Sequence, residues 1–345
     1  MLTHHGLPKS NYRRQVGIIH AHQPSSAAET ADAPRRALPD GVRESSWIAP
    51  DGHRLRTLEW PQAGAARGSL LFLPGRGDFI EKYLETLAHW AGRGWAVTAL
   101  DWRGQGASGR LGGDARTGHV ADFALWVDDL AAFWEQWRKG RPGPFVIAAH
   151  SMGGHLALRA AAERRIDPDA LVLSAPMLGL VGRLPAAAMH QVARAFAAVG
   201  DERRAAWKWR DDGSDKLAWR AKLLTHDEDR YADEIWWRRQ RPELVMGPGS
   251  WRWLERAYAS MRALARPGAL ERVDIPTFIV ASTADRLVSF PAIARAAKRL
   301  PRAELVAFGR EAAHEILREA DPVRDKALNA IDDFLDRVAP ARATE

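Results

Sequence analysis

The 345-residue chain contains no cysteine. That excludes disulfides, thiolate zinc sites and cysteine nucleophiles, and it fits a cytoplasmic protein. Long apolar runs are missing too. No stretch approaches the roughly 20 residues needed to span a bilayer. The first residues carry Arg13-Arg14, but only Val16 to Ile19 follow as an apolar stretch, short of the roughly 7–15 residues of a signal-peptide core. Internal repeats and low-complexity tracts are absent as well. Charge is poorly segregated: 50 Lys and Arg stand against 43 Asp and Glu, for a net charge of +7, and the two signs alternate along most of the chain. A nucleic-acid binder concentrates its cations in a stripe or arm, so no nucleic-acid partner is expected. A basic surface leaves room for weak contact with anionic membranes, and the expected location is cytoplasmic, with peripheral contact at the inner face of the membrane. Nothing in the sequence fixes an oligomeric state.

What is present is enough apolar material for a large core, 46% of the residues. Residues 1–43 show little periodicity and read as a tail outside the fold. Strand signals at Glu44 to Ala49 and His53 to Trp60 flank Pro50-Asp51-Gly52, a turn-forming tripeptide. Short apolar runs then alternate with helical patterns. Strands are expected at 69–73, 95–100, 145–149 and 170–174, with helices at 80–93, 121–139 and 153–165 between them. Such alternation predicts a mostly parallel sheet with helices on both faces, an α/β fold. From about Met177 to Pro267 the strands stop and Trp- and Arg-rich helical patterns take over; the alternation resumes at 277–281 and closes with a helix over 322–338. The expected organisation is a core of 44–176 and 268–338, an inserted helical cap of 177–267 and a short tail of 339–345. An insertion of that length far exceeds the usual loop of about 4–6 residues.

The densest chemical signal is FVIAAHSMGGHLAL, Phe145 to Leu158. A buried strand runs directly into Ser151 and a small-residue helix runs out, which is the setting of a nucleophile elbow, G-x-S-x-G. The serine occupies a strained turn, so the positions two before and two after it must be small; here they are Ala149 and Gly153. Such a nucleophile needs two N–H donors for the oxyanion. Met152, next after the serine, supplies one, and Arg76, between Gly75 and Gly77 in LFLPGRGDF, supplies the other. Gly75 and Gly77 let the backbone approach the substrate.

A base and its orienting acid should follow at strand ends. Of twelve histidines, His4, His5, His20 and His22 lie in the tail; His89, His155 and His190 lie in helical patterns; His150, beside the serine, is expected to point into packing. His314 lies between the last strand and the last helix, where a loop reaches the sheet's carboxyl edge. Asp285 follows a strand in TFIVASTADRLV, whereas Asp274 precedes it and falls at the wrong edge. The order Ser151, Asp285, His314 is that of the α/β-hydrolases. DWRGQGASG, Asp101 to Gly109, reads as a structural turn, with Asp101 and Arg103 holding it. The EAAHE stretch offers a single histidine, so neither a metal nor a cofactor is expected.

These pieces together resemble the monoacylglycerol lipase and lysophospholipase branch of the α/β-hydrolases, grouped with serine aminopeptidase S33. The resemblance covers roughly residues 44–338 and rests on PGRGDFIEKY, DWRGQGASG, TGHVADF, AHSMGG, ADRLV and AAHEI, with LTHDEDRYADE and GPGSWRWLERAY in the cap. It departs from that branch at Pro74, where histidine is usual, and at Arg76, where a small residue is usual; a long cation there would narrow or charge the pocket mouth. The resemblance implies hydrolysis of a small-molecule lipid ester, a lysophospholipid or a monoacylglycerol, through an acyl-enzyme on Ser151. Its rivals are an aminopeptidase or small-ester esterase on the same fold, and a hydrolase-like scaffold that binds without turnover. Met177 and Leu178, just after the 170–174 strand, are expected to touch the acyl chain. Seven of the fifteen tryptophans lie in the cap segment (Trp207, Trp209, Trp219, Trp236, Trp237, Trp251 and Trp253), and most are expected to pack it onto the sheet, with a minority touching lipid.

Overall fold

The computed structural model describes residues 34–62, 64–182, 184–208 and 216–341. Trp209 and the first part of the amino-terminal tail lie outside the described residues. The antiparallel hairpin β1 (Arg43–Ile48) and β2 (Arg54–Trp60) opens the sheet. It continues through β3 (Gly68–Leu73), β4 (Trp95–Leu100), β5 (Phe145–His150), β6 (Ala170–Ser174), β7 (Thr277–Ser282) and β8 (Ala303–Phe308). The spatial order is β1-β2-β4-β3-β5-β6-β7-β8, with every pairing from β4 onward parallel.

The apolar runs are buried on both faces because both faces carry helices. Leu70, Phe72, Val146 and Ala148 point to one side, where α1 (Leu84–Gly92) and α9 (Asp321–Val338) lay down Leu87, Trp90, Ile331 and Phe334. Leu71, Leu73, Ile147 and Ala149 point to the other, against α2 (Phe123–Trp137), α3 (Ser151–Ala162) and α8 (Phe290–Arg299). A one-residue slip in register would reverse these two sets. The exposed edge strand β1 is polar on most positions and offers no greasy template to another chain.

The DWRGQGASG turn is fastened by buried ions. Asp101 accepts from the Ala107 N–H at 3.0 Å and from Arg56 at 3.0 Å, and Arg103 pairs with Asp129 and Asp51, both at 2.6 Å. A Cβ on Gly106, whose φ is +50°, would lie 2.2 Å from the Asp101 carboxyl carbon, so only glycine fits.

Between β6 and β7 the chain passes through α4 (Ala186–Ala198), α5 (Lys216–Leu224), α6 (Glu228–Gln240) and α7 (Trp251–Leu264). Trp251 and Trp253 open α7, behind Ser250, which caps the helix by accepting from the Trp253 N–H. Trp237 and Trp253 are buried, and Trp207 is exposed. The tail boundary also moves. Pro34–Arg36 forms a single 3-10 turn whose Arg35 and Arg36 both bind Asp233 of α6, and the Arg35 carbonyl accepts from Trp237. The sequence there lacks periodicity because ion pairs, which leave no hydrophobic pattern, fix it. Among the described residues no helix is long and apolar enough to cross a membrane.

Candidate active site

β5 ends at His150 and α3 begins at Ser151, whose φ is +50°. A non-glycine residue in that region is strained by order 1–3 kcal/mol, and the surrounding contacts hold it there. A Cβ on Gly153 would sit 2.4 Å from the Leu73 carbonyl oxygen and 2.5 Å from that of Pro74; one on Gly75 would come within 3.0 Å of the Ser151 Cβ. The two glycines therefore let the turn after β3 lie directly against the serine.

His314, in the loop after β8, places Nε2 2.9 Å from the Ser151 hydroxyl. Its Nδ1 lies 2.7 Å from Asp285 Oδ2. The other oxygen of Asp285 accepts from the N–H groups of Leu287 and Val288, at 2.7 and 3.0 Å. The carboxylate is thereby fixed, and its pKa falls: burial disfavours the charge, but His314 and the two N–H groups outweigh that. His314 is displaced upward. Burial again opposes the charged form, and the charge and hydrogen bond of Asp285 more than offset it. Ser151 and His314 are buried, 8% and 4% exposed. Asp274, the rejected acid, is exposed at the far end of β7.

The oxyanion side is laid out by elimination. Gly75 donates its N–H to Asp78 at 2.9 Å and Gly77 donates to Gln105 at 2.8 Å. The Arg76 N–H between them has no acceptor among the described residues. Met152 sits in the first turn of α3, where N–H groups lack intrahelical partners. Met177 is tied to the serine by its own N–H, which donates to the Ser151 carbonyl at 2.9 Å. It is buried, and Leu178 is half-buried against the same core.

His150 does not point away into neutral packing. Its ring centre lies 4.8 Å from that of His314, and its Nε2 lies 3.8 Å from Asp78. Burial first, then repulsion from His314, pushes its pKa down to about 4, so it stays neutral beside the imidazole. Asp78 belongs to a buried ion cluster that sequence reasoning missed. Lys82 Nζ lies 2.5 Å from Asp78, 2.6 Å from Glu315 and 3.2 Å from Glu234, and Arg318 pairs with Glu315 and Glu234. The i,i+4 spacing of Asp78 and Lys82 in GRGDFIEKY was its one local signal. Asp78, His150 and Glu315 bring three potential metal ligands within 4.8 Å of one another, but the Lys82 ammonium already binds two of the three. The helical histidines act structurally: His155 bonds Ser260 at 2.7 Å, His89 pairs with Asp332 at 2.8 Å, and His190 with Glu255 at 3.2 Å.

Comparisons with known proteins assign the family and the fold. The family described as serine aminopeptidase, S33, matches residues 64–321. Lysophospholipase L2 of Escherichia coli K12 is 34% identical over 287 residues, covering 78% of this chain and 80% of the relative. Human monoglyceride lipase is 30% identical over 129 residues, 37% of this chain and 41% of that protein. In three dimensions a soluble variant of monoglyceride lipase from Saccharomyces cerevisiae superposes with a TM-score of 0.70 at 20% identity, over 89% of this chain and 99% of that one. The fold is that of the α/β-hydrolases, and the chain belongs to the serine aminopeptidase S33 family.

Proposed function

We propose that the protein is a serine hydrolase that cleaves the carboxylic ester of monoacyl lipids, lysophospholipid or monoacylglycerol. The observation that carries this is the unbroken hydrogen-bonded chain Ser151–His314–Asp285. His314 takes the proton of Ser151 as its oxygen attacks the ester carbonyl, and Asp285 holds the imidazole in the tautomer that accepts it. The N–H groups of Arg76 and Met152 meet the developing oxyanion, and water later resolves the acyl-enzyme by the reverse proton path. Gly75 and Gly77 keep the oxyanion turn close to the serine, and Met177 and Leu178 line the start of the acyl path. The names of the relatives, lysophospholipase L2 and monoglyceride lipase, support the lipid ester. The segment 177–267 acts as the cap over this site.

An aminopeptidase would need a free carboxylate to hold the substrate's ammonium. Asp285 is committed to His314, and Asp78 and Glu315 are already bound by Lys82, while the uncommitted charge at the turn is the cation of Arg76. This favours esters over amino-terminal peptides. The cap also carries five of the six exposed large hydrophobics among the described residues, Val181, Leu184, Phe196, Val199 and Trp207, which suits peripheral contact with a lipid surface.

The test is a hydrolysis panel of lysophosphatidylcholine, graded monoacylglycerols, proline amides and short nitrophenyl esters, with Ser151→Ala beside the parent. Ser151→Ala should fold normally and lose nearly all hydrolysis together with fluorophosphonate labelling. Retained labelling would assign the nucleophile elsewhere, and a preference for the amides would make the enzyme a peptidase.

A further inference from the structure

Arg76 is a cation without a counter-ion. Among the described residues no carboxylate lies within salt-bridge distance of it. Its Nη2 donates to the Gly247 carbonyl at 2.8 Å, and its buried Nε has no acceptor. The guanidinium lies 5.2 Å from the Trp207 ring and 4.8 Å from the Trp253 ring. Aromatic faces hold a guanidinium in place without neutralising it.

A second cation shares its surroundings. Arg220 of α5 reaches only Glu234, at 3.6 Å, and its buried Nε also lacks an acceptor. Glu234 already serves Arg238 at 2.6 Å, Arg318 at 3.1 Å and Lys82 at 3.2 Å. The three carboxylates Asp78, Glu234 and Glu315 are thus shared among four cations, Lys82, Arg238, Arg318 and Arg220, and none of the three pairs with Arg76. Burial, then repulsion from Arg220, brings the Arg76 pKa down to about 9, so it remains charged at neutral pH.

Both cations are carried by segments that border the reacting groups. Arg76 follows Gly75, where an added Cβ would lie 3.0 Å from that of Ser151. Arg220 precedes by one turn Leu223 and Leu224, whose carbonyls accept from the N–H groups of His314 at 3.3 Å and Glu315 at 2.7 Å.

We propose that Arg76, assisted by Arg220, forms a subsite for the head-group phosphate of a lysophospholipid, which makes phosphate-bearing monoacyl lipids the preferred substrates over uncharged monoacylglycerols. This rests on the ester-hydrolase reading above. In a lysophospholipid the glycerol links the scissile ester to the phosphate, so an ester at Ser151 carries an anion into this neighbourhood. A guanidinium with uncommitted donors suits phosphate oxygens, which it can engage in pairs. The anion supplies the charge the protein withholds, and a monoacylglycerol leaves the guanidinium uncompensated.

The experiment compares lysophosphatidylglycerol with 1-monoacylglycerol of the same acyl chain, for the parent, Arg76→Met, Arg76→Lys and Arg220→Met. The readout is the ratio of the two kcat/KM values, with KM and kcat separated. The parent should favour the phospholipid, and Arg76→Met should lower the ratio about 10- to 100-fold, the value of a lost charge-assisted hydrogen bond. The loss should fall mainly on KM, with partial recovery in Arg76→Lys and a smaller drop in Arg220→Met. A purely structural arginine would depress both substrates together and leave the ratio at the parent value, which overturns the proposal. Inorganic phosphate that inhibits a soluble ester while the ratio stays fixed would reassign the site to free phosphate, also overturning it. If the parent hydrolyses neither lipid, the ester-hydrolase reading itself has failed.

Discussion

At the residue scale, the site is a set of small permissions around one strained serine. Ser151 keeps φ at +50° because Gly153 and Gly75 let β3 and its turn press against it. The base is tuned in a direction that can be measured. A protonated His314 cannot accept the proton of Ser151, and its pKa is raised above the usual 6.5 by Asp285 against the opposing effect of burial. Under the proposed mechanism, activity should therefore be absent on the acid side and appear as pH rises through the His314 value. The kcat/KM profile, which reports the free enzyme, should have its acid limb above pH 6.5. Asp285→Asn should remove the raising interaction and lower kcat by roughly 10⁴-fold by favouring the wrong tautomer. Asp274→Asn, in an exposed residue at the other end of β7, should change kcat little. An acid limb below 6.5, or the two substitutions trading effects, would contradict the arrangement. That Ser151, Asp285 and His314 meet was legible in the sequence, because each follows the carboxyl end of a recognisable strand. His150 was not, since its direction depends on Asp78 and His314, which only the fold brings to it.

At the element scale, the ion cluster around Lys82 is a joint. It ties the turn after β3 (Asp78, Lys82), the cap helix α6 (Glu234) and the His314 loop (Glu315, Arg318). Binding to Lys82 and Arg318 lowers the pKa values of Glu234 and Glu315 against the opposing pull of burial. Removing one partner from a buried cluster costs about 3–5 kcal/mol because charges are left unpaired. Lys82→Met should destabilise the protein by that order at pH 7. Carboxylates with depressed folded pKa values contribute stability above their unfolded values, near pH 4, and lose it as pH falls. The gap between parent and variant in denaturant unfolding should therefore narrow as the pH is lowered through 4, and a gap independent of pH would mean that lost packing, and not charge, is responsible. The core strands were readable to within one residue because apolar periodicity sets them, whereas the helix expected over 80–93 begins as a 3-10 turn and is α-helical only over Leu84–Gly92, and the one expected over 153–165 spans Ser151–Ala162. The cluster was invisible for the opposite reason: its members are polar, dispersed from residue 78 to 318, and meet only in the fold.

At the scale of the whole molecule, the sheet and its helices make a closed core, and the segment between β6 and β7 is the cap proposed above. Its helices were legible from the interruption of the strand pattern; the placement of its tryptophans was not, because adjacent rings such as Trp236 and Trp237 pack edge-to-face on each other and against the same core, which no periodicity announces. Among the described residues, five of the six exposed large hydrophobics (Val181, Leu184, Phe196, Val199 and Trp207) fall within residues 181–207, and Ile48 lies elsewhere. Scattered single residues of this kind need no explanation, but a cluster on one insertion does. Phe196 stacks on Trp251, so a substitution there would confound packing with docking. Leu184 and Val199, exposed by 50% and 69%, are the cleaner probes. If this surface rests on lipid, Leu184→Asp/Val199→Asp should forfeit part of the roughly 1.5–3 kcal/mol that burying each aliphatic side chain supplies. Hydrolysis of a monoacyl lipid presented in vesicles should fall by about tenfold or more, while turnover of a water-soluble butyrate ester and the melting temperature stay near the parent values. Undiminished turnover on vesicles would leave these residues as ordinary exposed side chains, and an equal loss on both substrates would show that they support the cap and do not meet the lipid surface.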